Sequence, residues 1–170
     1  MVITYYTKEG KFKVGKTGAV PFSNLHRLDG PAFISKYIIV WYKNGKKHRP
    51  DGPAIICHDG TKEWWAKGKR HRVNGPALIC HDGTKEWFTN DTLHRKNAPA
   101  IIWHNGTKEW YVNGKKHRLD GPAIIYPDNK VYYYINGREL NTHKVKKWLR
   151  NNNINLKKKE HQTLFMLRFG

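Results

Sequence analysis

Apolar residues in this chain fall in short clusters that return at a fixed interval. A pair such as Phe33-Ile34, Ile55-Ile56, Leu78-Ile79, Ile101-Ile102 or Ile124-Ile125 is followed by a polar turn, read as Asp59-Gly60, Asp82-Gly83, Asn105-Gly106 and Asp128-Asn129 in successive copies. An aromatic doublet comes next, at Trp41-Tyr42, Trp64-Trp65, Trp87-Phe88, Trp110-Tyr111 and Tyr133-Tyr134. A second turn closes the unit: Asn44-Gly45, Lys67-Gly68, Asn90-Asp91, Asn113-Gly114 or Asn136-Gly137. Two short runs rich in Ile, Trp and Tyr, separated by turn signals that favour positive φ, predict a β-hairpin repeat. A series of short amphipathic helices fits poorly, because Gly, Pro, Asn and Asp recur too often for helices of useful length.

The interval is marked by His-Arg-x-Asp/Asn-Gly-Pro-Ala, which begins at His26, His48, His71, His94 and His117, spaced by 22, 23, 23 and 23 residues. Asn97-Ala98-Pro99-Ala100 is its one degraded copy. Fixed self-similarity of this length signals a repeat architecture. A motif written five times reads as a structural module, since a catalytic constellation is needed only once. Pro at the start of a strand fits, because its missing N–H need not break the ladder there.

The run Trp-Tyr-x-Asn-Gly-Lys-x-His-Arg-x-Asp-Gly-Pro-Ala resembles a variant of the MORN repeat over about residues 25–140. Where the usual repeat has Gly after His, this chain has Arg27, Arg49, Arg72, Arg95 and Arg118. The variant is similar to repeats in proteins of large DNA viruses and phages and in antitoxin-like bacterial proteins. The resemblance implies an extended single-layer antiparallel sheet of stacked hairpins used as a scaffold, sometimes for phosphoinositide or protein contact. It implies no particular activity.

Repeat arrays need covered ends. Residues 1–24 carry strand-like segments at Ile3 to Thr7 and Phe12 to Val14, with Gly10 between them and Gly15 and Gly18 after, which predicts an N-terminal β cap. Residues 25–140 hold the five repeats, and residues 141–170 form a basic helical C-terminal cap. In that cap Asn141-Thr142 is placed to N-cap a helix running to about Arg150, with Val145, Trp148 and Leu149 on one face. Asn151-Asn152-Asn153 breaks it, and a second helix is expected over 156–168, presenting Leu156, His161, Leu164, Phe165 and Leu167. The rival reading is a disordered basic tail, which would leave Trp148, Leu164, Phe165 and Leu167 in water. The expected fold is therefore an all-β repeat array with a short α-helical C-terminal cap.

Charge changes the picture most after the repeat. The 170 residues hold 32 Lys plus Arg against 13 Asp plus Glu, a net +19. Residues 141–170 contribute +7 of this, through Lys144, Lys146, Lys147, Arg150, Lys157, Lys158, Lys159 and Arg168 against Glu160. Such an excess favours polyanionic partners. Within the repeats the cations cluster at Lys43, Lys46 and Lys47, at Lys67, Lys69 and Arg70, and at Lys115 and Lys116, each cluster just before a His-Arg pair. Stacking at about 10 Å would align these turns into a basic ridge along one edge.

The ridge could track a phosphate backbone while Tyr42, Trp65, Phe88 and Tyr111 offer stacking faces to bases. Arg49, Arg72, Arg95 and Arg118 join it if exposed, and Lys144, Lys146, Lys147 and Arg150 extend it. The competing expectation is a solvated edge whose lysines block pairing with other sheets. For the repeated His and Arg, packing over the aromatic columns or pairing with Glu of a neighbouring strand is the favoured reading.

Cys57 and Cys80 occupy equivalent positions one repeat apart, at an expected 9 to 10 Å or so. A disulfide needs Cα atoms within about 7 Å, so both are expected as free thiols in a reducing compartment. The same spacing argues against zinc shared within a histidine column, whether the His26 to His117 column or His58, His81 and His104. No cofactor, metal or small-molecule substrate is inferred, and no phosphate loop or nucleophile elbow occurs. No run is long enough to span a membrane, and Met1-Val2-Ile3-Thr4 shows no signal-peptide pattern.

These readings converge on a non-enzymatic basic scaffold, expected in the cytoplasm (of a host cell, or in a virion, if viral). The first expected partner is nucleic acid, and an acidic protein stands close behind. A peripheral adaptor on anionic phospholipid is the alternative. Replacing Lys46, Lys47, Lys69, Arg70, Lys115 and Lys116 with Gln is expected to abolish binding and leave the fold intact.

Overall fold

The computed structural model describes residues 3–14 and 21–170, and for residues 11–14 the backbone alone. The expectations placed on Met1, Val2, Gly15 and Gly18 lie outside the described residues. The chain divides into two compact units, residues 1–91 and 92–170.

In the first unit a sheet runs in the spatial order Gly10–Val14, Ile3–Thr7, Phe33–Ile34, Ile38–Val40, Ile55–Cys57, Lys62–Glu63, Leu78–Ile79 and Lys85–Glu86, every neighbour antiparallel. In the second unit the order is Ile101–Ile102, Lys108–Glu109, Ile124–Ile125, Val131–Ile135 and Arg138–Leu140. Each repeat thus gives this sheet one hairpin, as the apolar pairs and the Asp-Gly turns predict. The turn is built as expected. Asp59 Oδ1 accepts the Thr61 N–H at 2.8 Å while Gly60 holds φ 92° and donates to the Cys57 carbonyl at 3.0 Å.

The repeats contain a further hairpin that a continuous aromatic strand does not predict. Tyr42–Lys43 pairs with Lys46–Lys47, Trp65–Ala66 with Lys69–Arg70, and Tyr111–Val112 with Lys115–Lys116, each as a separate two-stranded ribbon. The break falls at the first residue of each aromatic doublet. Trp64 donates its N–H to the Ala77 carbonyl at 2.8 Å and accepts from the His71 N–H at 3.1 Å, so one residue serves both rows. The ribbon turns take positive φ at Asn44 (50°), Lys67 (52°), Asn113 (49°) and Asn136 (51°), the mirror-image geometry that matches strand twist.

The Ala that ends each signature marks where the rows meet. Ala32, Ala54, Ala77, Ala100 and Ala123 are all at 0% exposure, so the site has no room for a larger side chain. In the first unit the core gathers Tyr5, Leu25, Val40, Tyr42 and Ile55. In the second it gathers Tyr133, Ile135, Leu140, Val145, Leu156 and Phe165, so the C-terminal helices dock on the last hairpin as expected.

Helix α1, Thr142–Asn151, starts where the Asn141 side chain accepts the Lys144 N–H at 2.9 Å. Helix α2, Lys159–Phe169, begins three residues later than the apolar spacing predicts. Asn155 holds the preceding segment as a turn, its side chain accepting from Lys157 N–H at 3.0 Å and its own N–H reaching His161 Nδ1 at 2.8 Å. A second correction concerns the docked face. Phe165 is fully buried, but Leu164 and Leu167 are 46% and 80% exposed and do not join the docked face.

Candidate binding surface

The repeated signature closes a loop on itself. Arg49 Nη1 donates to the Pro53 carbonyl at 3.3 Å, its Nε to Asp51 at 3.1 Å, and its guanidinium lies 4.1 Å above the Trp41 ring. Arg118 repeats the pattern with Pro122 at 3.0 Å, Asp120 at 2.6 Å and Trp110 at 3.8 Å. Arg72 lies 3.9 Å above Trp64 and donates to Pro76, and Arg95 donates to Pro99, both at 3.1 Å. The glycine between Asp and Pro is required by this guanidinium: a Cβ on Gly52 would sit 2.9 Å from Arg49 Cζ. Arg49, Arg72 and Arg118 are therefore structural members of the loop, packed over the first aromatic column, and Arg95 closes its own loop through Pro99.

The histidine column stitches each repeat to the next. Nδ1 of His26, His48, His94 and His117 accepts the backbone N–H of Asn44, Lys67, Asn113 and Asn136, at 3.1, 3.3, 3.2 and 3.1 Å. His71 Nδ1 is buried without a partner, and in the turn of the next repeat Asp91 replaces the usual glycine, its carboxylate taking the Arg70 N–H at 2.7 Å.

An accepting Nδ1 needs a neutral ring, and burial pushes the His117 pKa below the ordinary imidazole value. Its contribution is then complete above a pH of about 6.5 and lost as pH falls through the lowered folded value. Asp120, held at about 2 chiefly by the Arg118 hydrogen bond, fails only in stronger acid. Denaturant midpoints measured from pH 8 to 4 should stay flat, then decline below about pH 6.5. A flat profile to pH 4 would contradict the histidine assignment.

The cation clusters split into two roles. Lys47 and Arg70 lie over Trp65 at 4.3 and 5.3 Å, Arg70 also over Phe88 at 5.5 Å, and Lys116 over Tyr134 at 5.4 Å. The repeated Glu anchors Arg70 and Lys116. Glu63 takes Arg70 and the Trp65 indole N–H, both at 2.9 Å, and Glu109 takes Lys116 at 3.3 Å and the Tyr111 hydroxyl at 3.0 Å. Tyr42 is buried, with Phe22 stacked 6.1 Å from it. Trp65, Phe88 and Tyr111 are half-buried under these cations, so the second aromatic column does not present bare stacking faces.

Lys43, Lys46, Lys67, Lys69 and Lys115 are the remainder, exposed at the ribbon turns, and none forms an ion pair with a described residue. Lys144, Lys146, Lys147 and Arg150 stand exposed on α1. Lys62 and Lys85 in the first unit and Lys108 in the second are likewise exposed, and the charge clusters did not single them out. Lys62 pairs across strands with Ile56 and Ile79, so it stands on the sheet face opposite Glu63. The strict Lys-Glu alternation in the Thr-Lys-Glu segments was the available signal.

Both thiols are free, and burial raises the pKa of each, which leaves them poor nucleophiles. Among the described residues no three His, Cys, Asp or Glu side chains converge on a metal-sized position, and no helix is long and apolar enough to cross a membrane. No family model matches the chain, and no curated protein does.

Proposed function

We propose that the protein is a non-enzymatic scaffold whose ribbon turns hold a polyanion, with the phosphate backbone of nucleic acid as the first partner. One observation carries this reading. Asp29, Asp51, Glu63, Glu109 and Asp120 are paired with Arg27, Arg49, Arg70, Lys116 and Arg118, whereas Lys43, Lys46, Lys67, Lys69 and Lys115 project into solvent unpaired, with Asp91 beside Lys46, Lys67 and Lys69. A surplus placed this way concentrates anions by charge alone. Recognition is sequence-tolerant, because the aromatic faces are already covered by Lys47, Arg70 and Lys116. Base stacking therefore has no part in it, and phosphate contact has the main part.

The test is a titration of a labelled single-stranded oligonucleotide beside liposomes carrying phosphoinositide. Five phosphate contacts predict a roughly hundredfold loss of oligonucleotide affinity between about 50 and 200 mM salt. Tight liposome binding with no oligonucleotide binding would instead make the lysines a membrane contact. Indifference to both would leave an acidic protein as the partner class and refute the nucleic-acid reading.

A further inference from the structure

The C-terminal segment sits on one copy of a feature that the chain builds more than once. Between successive signature loops lies a groove floored by tryptophan. One such groove, of about 410 Å³, is lined by Trp110, His117, Arg118 and Asp120, and it is bordered by Lys157 from the turn before α2. Asp120 divides its oxygens there. Oδ1 accepts from Arg118 Nε at 2.6 Å, and Oδ2 accepts from Lys157 Nζ at 2.8 Å and from Arg118 Nη2 at 3.4 Å. Beside it Leu119 packs on the apolar cluster that contains Leu156.

The equivalent groove in the first unit, about 560 Å³, is lined by Trp41, His48, Arg49 and Asp51 in the same register. Asp51 Oδ1 holds Arg49 at 3.1 Å, and Oδ2 has no partner among the described residues. The carboxylate is 77% exposed, and the exposed Pro50 stands where Leu119 stands in the covered copy. Leu28, 74% exposed, adds apolar surface on the facing loop. The neighbouring groove that ends at Val73-Asn74 carries Asn74 at the position of Asp120, and Asp51 borders it from the preceding loop.

We infer that the Trp41–Asp51 groove docks a segment of another protein in which an apolar residue is followed by lysine, as Leu156-Lys157 is in this chain. The lysine takes Asp51 Oδ2 and the apolar neighbour covers Pro50 and Leu28. The chain's own cap is not free to serve as the occupant, since Val145 and Phe165 hold it at 0% exposure. Lys43 borders this groove as well as its ribbon turn, but the lysine seat is the Asp51 carboxylate, which polyanion binding does not use.

The experiment uses the full chain and a fluorescent peptide of residues 154–162, read by anisotropy at physiological salt. In the full chain Lys157 already holds the Asp120 carboxylate, so saturable binding that depends on Asp51 reports the first-unit groove. Asp51→Asn should weaken it about fivefold, the reach of a solvent-exposed ion pair. Lys157→Gln within the peptide should weaken it equally without altering the protein. The two changes together should cost no more than either alone. Absence of binding, or losses that simply add, would overturn the inference. So would unchanged peptide binding with stronger oligonucleotide binding in Asp51→Asn, which would make the groove an anion site.

Discussion

Arg118→Ala is expected to destabilise the chain by about 2–4 kcal/mol, combining a lost charge-assisted hydrogen bond with a lost desolvated cation–aromatic contact. The side chain is only 12% exposed, so solvent does little to screen these contacts. It covers Trp110, donates to the Pro122 carbonyl at 3.0 Å and holds Asp120. Truncation leaves that carbonyl without its donor and opens the ring to water. Arg118→Lys should recover little, because an ammonium cannot lie flat on the indole and reach both acceptors through a planar fork. Urea unfolding followed by tryptophan fluorescence measures this. A shift below about 0.5 kcal/mol, the range of ordinary surface substitutions, would show that the loop does not need its arginine.

Phe165→Ala is expected to cost about 3–5 kcal/mol, the range for a buried aromatic truncated to a methyl group. Phe165 has no exposure and meets Tyr133, Trp148 and Phe169 at ring-centroid distances of 6.3, 6.3 and 5.3 Å. These partners come from the last hairpin, α1 and α2, so the cavity opens where the cap is fastened. Circular dichroism should show helix signal lost at lower denaturant than strand signal in this variant. Leu167→Ala, at an 80% exposed position, should change almost nothing. Equal losses from the two substitutions would mean that the cap is not packed as described.

Much of the fold was legible from local chemistry. Asn44-Gly45 and Asn113-Gly114 announce ribbon turns because positive φ costs them little, and Asn141 announces α1 because its side chain satisfies an orphan N–H. The division into two rows was not legible. Trp64-Trp65 reads as an uninterrupted strand, and only the carbonyl of Ala77, thirteen residues on, shows that Trp64 turns the chain between rows. The histidines were opaque for a similar reason. His48 has its partner at Lys67, in the next repeat, and no local pattern encodes a hydrogen bond across that interval.

The candidate site divides in the same way. Charge clustering located the ribbon turns, but Lys46 and Lys47 are adjacent and have different fates. Lys47 lies over Trp65 and Lys46 faces solvent. Strand alternation separates them only once the ribbon's register is known. Substituting both therefore mixes a structural loss with a binding loss, as would the same treatment of Arg70 and Lys116.

The most direct measurement replaces Lys43, Lys46, Lys67, Lys69 and Lys115 with Gln and follows oligonucleotide affinity against salt, with urea stability measured beside it. The slope of log affinity against log salt should fall in magnitude by about 3 to 4, at roughly 0.7 per lost single-strand phosphate contact, while the unfolding midpoint stays within error of the parent. An unchanged slope, or unfolding of the variant, would contradict the assignment of structure to the signature and of binding to the exposed lysines.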